Sequence, residues 1–294
     1  MRRFWMVMGM AALLGTLTAC GLFSDMMTTA STLPRVERDV EYGKVGDVSL
    51  KLNAFVPARP DTNPVGAVIL IHGGGWAAGS KEEFDELAQG LADLGYVSFT
   101  VGYRLAPDAI YPAQVDDVQR AVRWVRANAV DYGVDPDRIC ALGGSAGGHL
   151  AAMLGVTDTR DNSDPELAAY SSRVNCVIDL YGPVDLTLPI SAQAEGILLT
   201  FMGQTREQAP DLHREASPIY HIDEKTVPFL IFHGAKDDLV YVEQSRKLDA
   251  ALKAAGIEST YIEFPDEGHG FTQDASVKTL LDALTGFLKK HIGS

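Results

Sequence analysis

Short apolar stretches alternate with helix-like stretches along most of this 294-residue chain. Stretches typical of strands buried on both faces of a sheet lie at 65–72, 96–103, 138–142, 174–181, 229–233 and 259–264. Helices are predicted at 81–94, 115–128, 242–255 and 276–292. Strands that alternate with helices form a mainly parallel, twisted sheet with helices on both faces. The alternation therefore predicts an α/β fold.

No linker divides the chain after residue 35. Residues 36–56 are typical of two antiparallel strands, with turn signals at Gly43 and at Gly46-Asp47. Residues 185–221 show no strand pattern and only weak helical patches. We therefore predict one domain at 36–294 that carries a small helical cap at about 185–221.

The N-terminus is typical of a targeting segment. Arg2 and Arg3 precede an apolar run at 4–17, which is too short for a comfortable membrane span. A Leu-Thr-Ala-Cys sequence that ends at Cys20 follows. Small residues before a single cysteine resemble the lipobox of bacterial lipoproteins, in which the signal is cut before the cysteine and the sulfur carries diacylglycerol.

This resemblance implies a signal peptide at 1–19, lipidation of Cys20 and a tether at 20–35. It also implies a protein of the bacterial cell envelope, bound to a membrane through its lipid and facing the periplasm or the exterior. The alternative is an ordinary signal peptide whose cut lies near Cys20.

The chain is acidic, with 39 Asp and Glu against 25 Lys and Arg and a net charge of −14. Binding to a phosphate backbone needs clustered Lys and Arg, so nucleic acid is disfavoured as a partner. We interpret the excess of acid as an aid to solubility. His213 and His221 lie in the predicted cap without a matching ligand cluster, so we expect no metal, and no motif predicts a cofactor.

Cys140 and Cys176 lie in apolar, strand-like stretches. We interpret both as buried free thiols. A disulfide stays open, because sequence spacing cannot establish a pairing.

Residues 143–147 read Gly-Gly-Ser-Ala-Gly and stand between a predicted strand and a predicted helix that extends to Leu154. A sharp strand-to-helix turn strains the serine backbone, and glycines two residues before and after it avoid a clash. The start of the helix favours negative charge nearby. Ser145 is therefore a candidate nucleophile; the alternative is a glycine-rich turn with an incidental serine.

A second glycine-rich segment, HGGGW at 72–76, ends an earlier predicted strand. Ester hydrolysis passes through a tetrahedral oxyanion that backbone N–H groups stabilise, and glycines let the backbone approach it closely. We predict an oxyanion hole formed by the N–H groups of Gly74, Gly75 and Ala146. A P-loop is disfavoured because its Lys-Ser/Thr ending is missing, and we interpret His72 as a brace for the loop rather than a base.

A serine hydroxyl is a poor nucleophile until an imidazole takes its proton, and the imidazole needs a carboxylate to orient it. His269 has glycines on both sides and follows the last predicted strand. Asp237 and Asp238 both follow the strand before it, so the residues alone leave either as the carboxylate. The order Ser, Asp, His is typical of α/β hydrolases.

Motifs along the chain, among them HGGGW at 72–76, YRLAP at 103–107, GGSAGGHLA at 143–151, FHGAKDDLV at 232–240 and EGHGF at 267–271, resemble esterases of the hormone-sensitive-lipase and bacterial feruloyl/acetylxylan-esterase type. The resemblance covers nearly the whole chain from Glu41 onward and implies the α/β-hydrolase fold. In these families the carboxylate lies four residues after the histidine of an HG-x-x-D motif, which implies Asp237. The resemblance also implies a structural ion pair between Arg104 and Asp117.

These features predict a serine carboxylesterase that uses Ser145, His269 and Asp237 and forms an acyl-enzyme. The expected substrates are short-chain acyl esters or carbohydrate-linked esters. The alternatives are an aryl formamidase or a peptidase-type amide hydrolase of the same fold. A non-catalytic binding protein is less favoured, because both Ser145 and His269 are present. The absence of a long apolar lid predicts acyl chains of about two to six carbons.

Overall fold

The structure is a computed structural model that describes residues 34–58, 63–158 and 164–293. The predicted signal peptide, Cys20 and nearly all of the predicted tether lie outside these ranges. Among the helices within them, none is both long and apolar enough to cross a membrane.

Eight strands form one sheet, and the prediction of an α/β fold is confirmed. The strands are β1 Arg35–Val45, β2 Val48–Val56, β3 Val65–Ile71, β4 Val97–Val101, β5 Val134–Gly144, β6 Cys176–Leu180, β7 Phe229–Gly234 and β8 Ser259–Phe264. Their order across the sheet is β1-β2-β4-β3-β5-β6-β7-β8. The pairs β1–β2 and β2–β4 are antiparallel, and every other neighbouring pair is parallel.

Helices cover both faces of this sheet. They are α1 Asp85–Asp93, α2 Ala113–Ala127, α3 Ala129–Tyr132, α4 Ala146–Val156, α5 Ala192–Met202, α6 Pro210–Glu215, α7 Glu243–Ala254 and α8 Asp274–His291. Apolar residues of α2, α4 and α7 join one core cluster, and those of α1 and α8 join a second cluster on the other face. Every residue of α4 is buried, which explains why its sequence is apolar on all sides.

The predicted helix at 81–94 begins as a 3₁₀ turn, Lys81–Phe84, before α1. The short helix α3 was not predicted. It follows α2 almost directly and ends at Gly133, which adopts a left-handed conformation with φ of 62°. A glycine in this conformation is a common helix terminator.

Cys140 and Cys176 lie opposite each other on the neighbouring strands β5 and β6. Their Cα atoms are 4.6 Å apart and their sulfur atoms form a disulfide. The interpretation as free thiols is therefore wrong for this structure. The pairing follows from the register of β5 and β6, which places opposite each other two cysteines that are 36 residues apart in sequence. Sequence spacing alone does not reveal such a register.

Parallel strands bring their carboxyl ends to one edge of the sheet, where the loops that follow them meet. The loops after β3, β5, β7 and β8 carry HGGGW, Ser145, Asp237 and His269, respectively. We call these four loops the site edge. The segment 185–221, between β6 and β7, contains α5, α6 and a 3₁₀ turn at Pro218–His221, and we call it the cap segment.

Candidate active site

Ser145 occupies a strained turn between β5 and α4. Its φ is 55° and its ψ is −119°, a backbone conformation that residues other than glycine rarely adopt. The neighbouring glycines are sterically required. A Cβ atom at Gly143 would lie 2.1 Å from the carbonyl oxygen of Gly147, and one at Gly147 would lie 2.0 Å from that of Ile71. The turn therefore tolerates no side chain at either position.

The backbone around Ser145 is fixed on both sides. Its N–H donates to the carbonyl oxygen of Leu180 at 2.8 Å, and its own carbonyl accepts from the N–H of His149 at 3.0 Å. Ser145 thus stands immediately before the first turn of α4, where the helix dipole favours developing negative charge.

Ser145, His269 and Asp237 form one continuous line of hydrogen bonds. The Oγ atom of Ser145 lies 2.8 Å from Nε2 of His269. The Nδ1 atom of the same ring lies 2.7 Å from Oδ2 of Asp237. A carboxylate only accepts, so Nδ1 carries the hydrogen and Nε2 is left to accept from the serine hydroxyl. This tautomer is the one that general-base activation of the serine needs.

The structure separates the two adjacent aspartates. Asp237 is buried, and its Oδ1 atom accepts from the N–H groups of Leu239 at 2.9 Å and Val240 at 2.8 Å. Burial alone would raise the pKa of Asp237, but hydrogen bonds from His233 and His269 outweigh it and hold that pKa well below its usual range. Asp238 is exposed, and His269 bonds to Asp237.

The loop that carries His269 is held by the buried residue Glu267. Its carboxylate accepts from the N–H groups of Thr272 at 3.1 Å and Gln273 at 2.9 Å. These backbone bonds, the one from Gln273 foremost, lower the pKa of Glu267. The carbonyl of Glu267 accepts from the N–H of Lys236 at 2.9 Å, so the loops after β7 and β8 are joined directly.

The HGGGW loop leaves backbone donors beside Ser145. Gly74 and Gly75 have φ of 95° and 59°, and a Cβ atom at Gly73 would lie 3.6 Å from Cβ of Ser145. Within the described part of the chain, no hydrogen bond uses the N–H of Gly74, Gly75 or Ala146. Unpaired N–H groups beside a nucleophile are what an oxyanion hole requires.

His72 acts as a brace, as its position before the glycines indicated. Its ring stacks on Tyr103 with centroids 4.3 Å apart. The Tyr103 hydroxyl lies 3.0 Å from the carbonyl oxygen of His72 and 3.1 Å from that of Gly73. Burial lowers the pKa of His72, which favours the neutral ring. Nearby, Arg104 and Asp117 form the predicted ion pair, with Nη2 and Oδ1 2.8 Å apart.

The cap segment packs on the HGGGW loop through aromatic rings. Phe201 of α5 stacks on Trp76 with centroids 4.1 Å apart. The indole N–H of Trp76 donates to Nδ1 of His149 at 3.2 Å, so Nε2 of His149 carries the hydrogen and donates to the carbonyl oxygen of Ala216 at 2.7 Å. Burial lowers the pKa of His149 to about 4. The His149 side chain therefore bridges the indole of Trp76 and the backbone of Ala216.

Helix α5 also contacts the predicted oxyanion hole. A Cβ atom at Gly75 would lie 2.5 Å from Cγ2 of Ile197, so this side chain lies directly against the loop. A separate cavity of about 840 Å³ lies in the cap segment, and its wall includes Leu199, Arg206 and Tyr220. Ile197 and Leu199 are about 200° apart around a helix, so the cavity and the HGGGW loop lie on different sides of α5.

Within the described residues, no group of three or more His, Cys, Asp or Glu side chains could hold a metal ion. His213 is buried in α6, with Nδ1 3.0 Å from the carbonyl oxygen of Ala209. His221 contacts the carbonyl oxygen of Glu215 through Nε2 at 2.6 Å. Both histidines therefore contact backbone carbonyl groups.

Three residues contact the site without a marked role in the sequence: His233, Ser245 and Ile197. His233 contacts Asp237, and Ser245 contacts His233. Ile197 contacts the HGGGW loop. The HG-x-x-D motif contains His233, so the signal for it was present. No local pattern marks Ser245 or Ile197, because helix packing brings each of them to its contact.

The fold and this constellation define the class of protein. An open, mainly parallel sheet carries a serine on a strand-to-helix turn, a histidine after its last strand and an aspartate after the strand before it, which is the arrangement of an α/β hydrolase. The model of the BD-FAE family matches residues 52–252. The chain belongs to the BD-FAE family.

Relatives of known structure or name agree with this assignment. Esterase LipQ of Mycobacterium tuberculosis is 33% identical over 260 residues, which are 85% of this chain and 61% of LipQ. A truncated carbohydrate esterase from gut microbiota has a TM-score of 0.73 and 30% identity, covering 89% of this chain and 99% of that one. Esterase 2 of Thermogutta terrifontis, phosphorylated by paraoxon, has a TM-score of 0.73 and 30% identity, covering 87% and 94%. The chain thus spans about three fifths of the length of LipQ.

Proposed function

We propose that this protein is a serine carboxylesterase that hydrolyses short-chain acyl esters or carbohydrate-linked esters. The observation that carries the proposal is the unbroken line from Ser145 Oγ through His269 to Asp237 Oδ2, with contacts of 2.8 and 2.7 Å. Unpaired N–H groups of the HGGGW loop stand beside it. In this proposal Ser145 is the nucleophile, His269 is the base and Asp237 is the carboxylate that orients it, and holding such groups in line lowers the barrier to reaction.

In the proposed mechanism the Oγ atom of Ser145 attacks the ester carbonyl carbon while Nε2 of His269 takes the hydroxyl proton. The N–H groups of Gly74, Gly75 and Ala146 stabilise the oxyanion. The intermediate then expels the alcohol, which receives the proton from His269. A water molecule, deprotonated by His269, attacks the acyl carbon of the acyl-enzyme and forms a second tetrahedral intermediate. This intermediate collapses to the free acid as the bond to Ser145 Oγ breaks, and His269 returns the proton to Oγ. Asp237 orients the ring and stabilises its protonated form throughout.

The substrate class rests on two kinds of support. Esterases and a carbohydrate esterase are among the relatives with the same fold. In addition, Ile197 lies against Gly75, which limits the room for an acyl chain beside the oxyanion donors. Together these observations support an ester with a small acyl group.

Turnover of a substrate panel tests the proposal. Initial rates are measured on p-nitrophenyl acetate, methyl ferulate and acetylated xylan, and Ser145→Ala serves as the matched inactive variant. We expect hydrolysis of p-nitrophenyl acetate and of at least one of the other two, with no turnover by Ser145→Ala. Turnover retained by Ser145→Ala, in enzyme free of wild-type protein, would reject the mechanism.

Two amide substrates added to this panel separate ester hydrolysis from amide hydrolysis. N-formylkynurenine tests the aryl formamidase alternative, and a peptide anilide tests the peptidase alternative. Efficient turnover of either amide, with slow turnover of all three esters, would replace the proposed substrate class while keeping the same nucleophile.

We further propose that the protein is held on a bacterial membrane through a lipid on Cys20. The support is the order of basic residues, apolar run and small residues that ends at Cys20. We expect Cys20→Ala to release the protein from the membrane fraction or to block its processing. Intact-mass analysis of the membrane-bound form decides the matter, since an unmodified cysteine would contradict the proposal.

A further inference from the structure

A second histidine contacts the carboxylate that orients His269. His233 is the last but one residue of β7 and is fully buried. Its Nε2 atom lies 3.1 Å from Oδ2 of Asp237, the same oxygen that accepts from His269. The proposed mechanism gives His233 no direct part in the reaction.

The partners of His233 fix which ring nitrogen carries a hydrogen. Nε2 faces two acceptors, Oδ2 of Asp237 and the carbonyl oxygen of Val240 at 2.8 Å. An acceptor on both sides requires a hydrogen on Nε2. Nδ1 faces the hydroxyl of Ser245 at 2.7 Å, and a hydroxyl can rotate to donate. Ser245 is buried in α7, and a hydrogen donated by its hydroxyl to Nδ1 fits the tautomer that the two acceptors on Nε2 require.

The carboxylate of Asp237 is therefore held at both oxygens. Oδ1 accepts the N–H groups of Leu239 and Val240, and Oδ2 accepts the two imidazole N–H groups. Rotation of the carboxylate about its Cβ–Cγ bond would move both oxygens, so the bonds to Oδ1 and the bonds to Oδ2 resist it together. Among the residues that the structure describes, Oδ2 accepts from His233 in addition to His269, so His233 is placed to help fix this oxygen.

We propose that His233 is a positioning residue, which holds Oδ2 of Asp237 in line with Nδ1 of His269 and so acts on the reaction through Asp237. The inference rests on the proposed esterase function. Hydrogen bonding from His233 to the carboxylate also contributes to the low pKa of Asp237. Loss of a well-placed orienting group reduces turnover rather than substrate binding, because the group does not touch the substrate.

Two substitutions of His233 form a matched pair. The amide nitrogen of glutamine reaches approximately the position of Nε2 and can donate to Asp237, whereas the amide of asparagine ends one bond earlier. Both are neutral and polar. On p-nitrophenyl acetate we expect His233→Asn to lower kcat on the order of 100-fold with little change in KM, since small misplacements of catalytic groups have costs of that size. We expect His233→Gln to recover at least about tenfold of that loss.

A double-mutant cycle with Asp237→Ala separates positioning from a structural role. We expect His233→Asn to change kcat by less than about twofold when Asp237 is already absent. Ile231→Val, two residues earlier on β7, is the control for a weakened strand, and we expect unchanged kcat. An equal loss from His233→Asn in both backgrounds, or equal activity of the Asn and Gln variants, would overturn the inference.

Paraoxon provides a readout that is independent of the natural ester. The Ser145 Oγ–phosphorus bond forms as p-nitrophenolate leaves, and the serine proton passes to His269. We expect the rate of phosphorylation to fall with His233→Asn by the same factor as kcat. Wild-type protein that neither hydrolyses esters nor reacts with paraoxon at Ser145 would refute the proposed function itself. Active wild-type protein with an equally reactive His233→Asn variant would refute only the role of His233.

Discussion

The site edge and the cap segment lie against each other but are held by different contacts. In the site edge, hydrogen bonds and charged groups fix the loops after β7 and β8: the carbonyl of Glu267 joins the two loops, and Asp237 accepts four donors. The cap segment meets the site edge mainly through stacked or packed side chains, among them Phe201 on Trp76 and Ile197 on Gly75.

This difference indicates which part sets the chemistry and which sets the choice of substrate. Directional bonds and strained backbone tolerate little change, because each donor and acceptor must keep its geometry. Apolar packing tolerates substitutions of similar volume. A change in the site edge should therefore affect kcat, while a change in the cap segment should affect which esters are accepted.

The largest effects are expected where the directional bonds meet the substrate. Ser145→Ala and His269→Ala should each lower kcat by about 10⁵- to 10⁶-fold, because triad members act as a unit. Asp237→Asn should lower it by about 10⁴-fold, since the imidazole loses the partner that sets its tautomer. Steady-state kinetics on p-nitrophenyl acetate measure all three.

The adjacent aspartate is the internal control. Asp238 is exposed, so Asp238→Asn should keep kcat within about twofold of the wild type. A fully active Asp237→Asn enzyme beside an inactive Asp238→Asn enzyme would reverse the assignment of the carboxylate.

A substitution in the HGGGW loop tests whether the backbone geometry of the site edge determines kcat. A Cβ atom at Gly74 would lie 2.2 Å from the carbonyl oxygen of Ala78, at a φ of 95°. Gly74→Ala must therefore move the loop, and we expect kcat to fall by about 10²- to 10³-fold, as for loss of an oxyanion donor.

Gly46→Ala is the matched control for this substitution. Gly46 also has a positive φ, of 57°, but no atom lies within 4 Å of its Cβ position, which is in the β1–β2 turn. It should lose about 1–2 kcal/mol of stability through backbone strain alone and keep its kcat. A Gly74→Ala enzyme with normal kcat would show that the loop is not the oxyanion site.

The same division determines how much the sequence could reveal. Strand β3 follows from a continuous apolar run, as does the 139–142 part of β5, but β5 begins earlier, at Val134, in a stretch of charged residues and proline that predicts no strand. The turn at Ser145 follows from glycines that the backbone geometry requires. The assignment of Asp237 over Asp238 needed a family resemblance, because only the fold of the loop turns one carboxylate inward. Sequence could not reveal Ile197 against Gly75 or Cys140 beside Cys176, since tertiary packing and strand register create those contacts between distant residues.

The side chain of His149 contacts both the site edge and the cap segment, and we expect acid pH to weaken these contacts. Its pKa in the folded protein is lowered to about 4 by burial, against about 6.5 in an unfolded chain. The unfolded state therefore binds the proton first. The contribution of the neutral ring to the free energy of unfolding is complete above about pH 6.5. It is lost as the pH falls from about 6.5 to about 4, and the total loss is about 3 kcal/mol.

Urea unfolding of the wild type and of His149→Gln at several pH values measures this loss. Glutamine can donate to the carbonyl of Ala216 but does not titrate in this range. The wild type should lose about 3 kcal/mol more than the variant between pH 7 and pH 4, because other titrating groups contribute equally to both. Parallel pH curves would contradict the prediction.

The smallest expected effect concerns the choice of acyl group. Ile197 lies against Gly75, so we expect the wild type to prefer acyl chains of about two to six carbons. Ile197→Ala should extend the range by about two carbons, because the smaller side chain leaves space for about two more methylene groups of the acyl chain. We therefore expect kcat/KM for p-nitrophenyl octanoate to rise about tenfold relative to the acetate. Leu199→Ala is the matched control on the same helix: Leu199 is exposed and lines the cap cavity instead, so its profile should match the wild type. If Leu199→Ala shifts the profile and Ile197→Ala does not, the acyl chain enters the cap cavity, and the cap segment then sets specificity from the opposite side of α5.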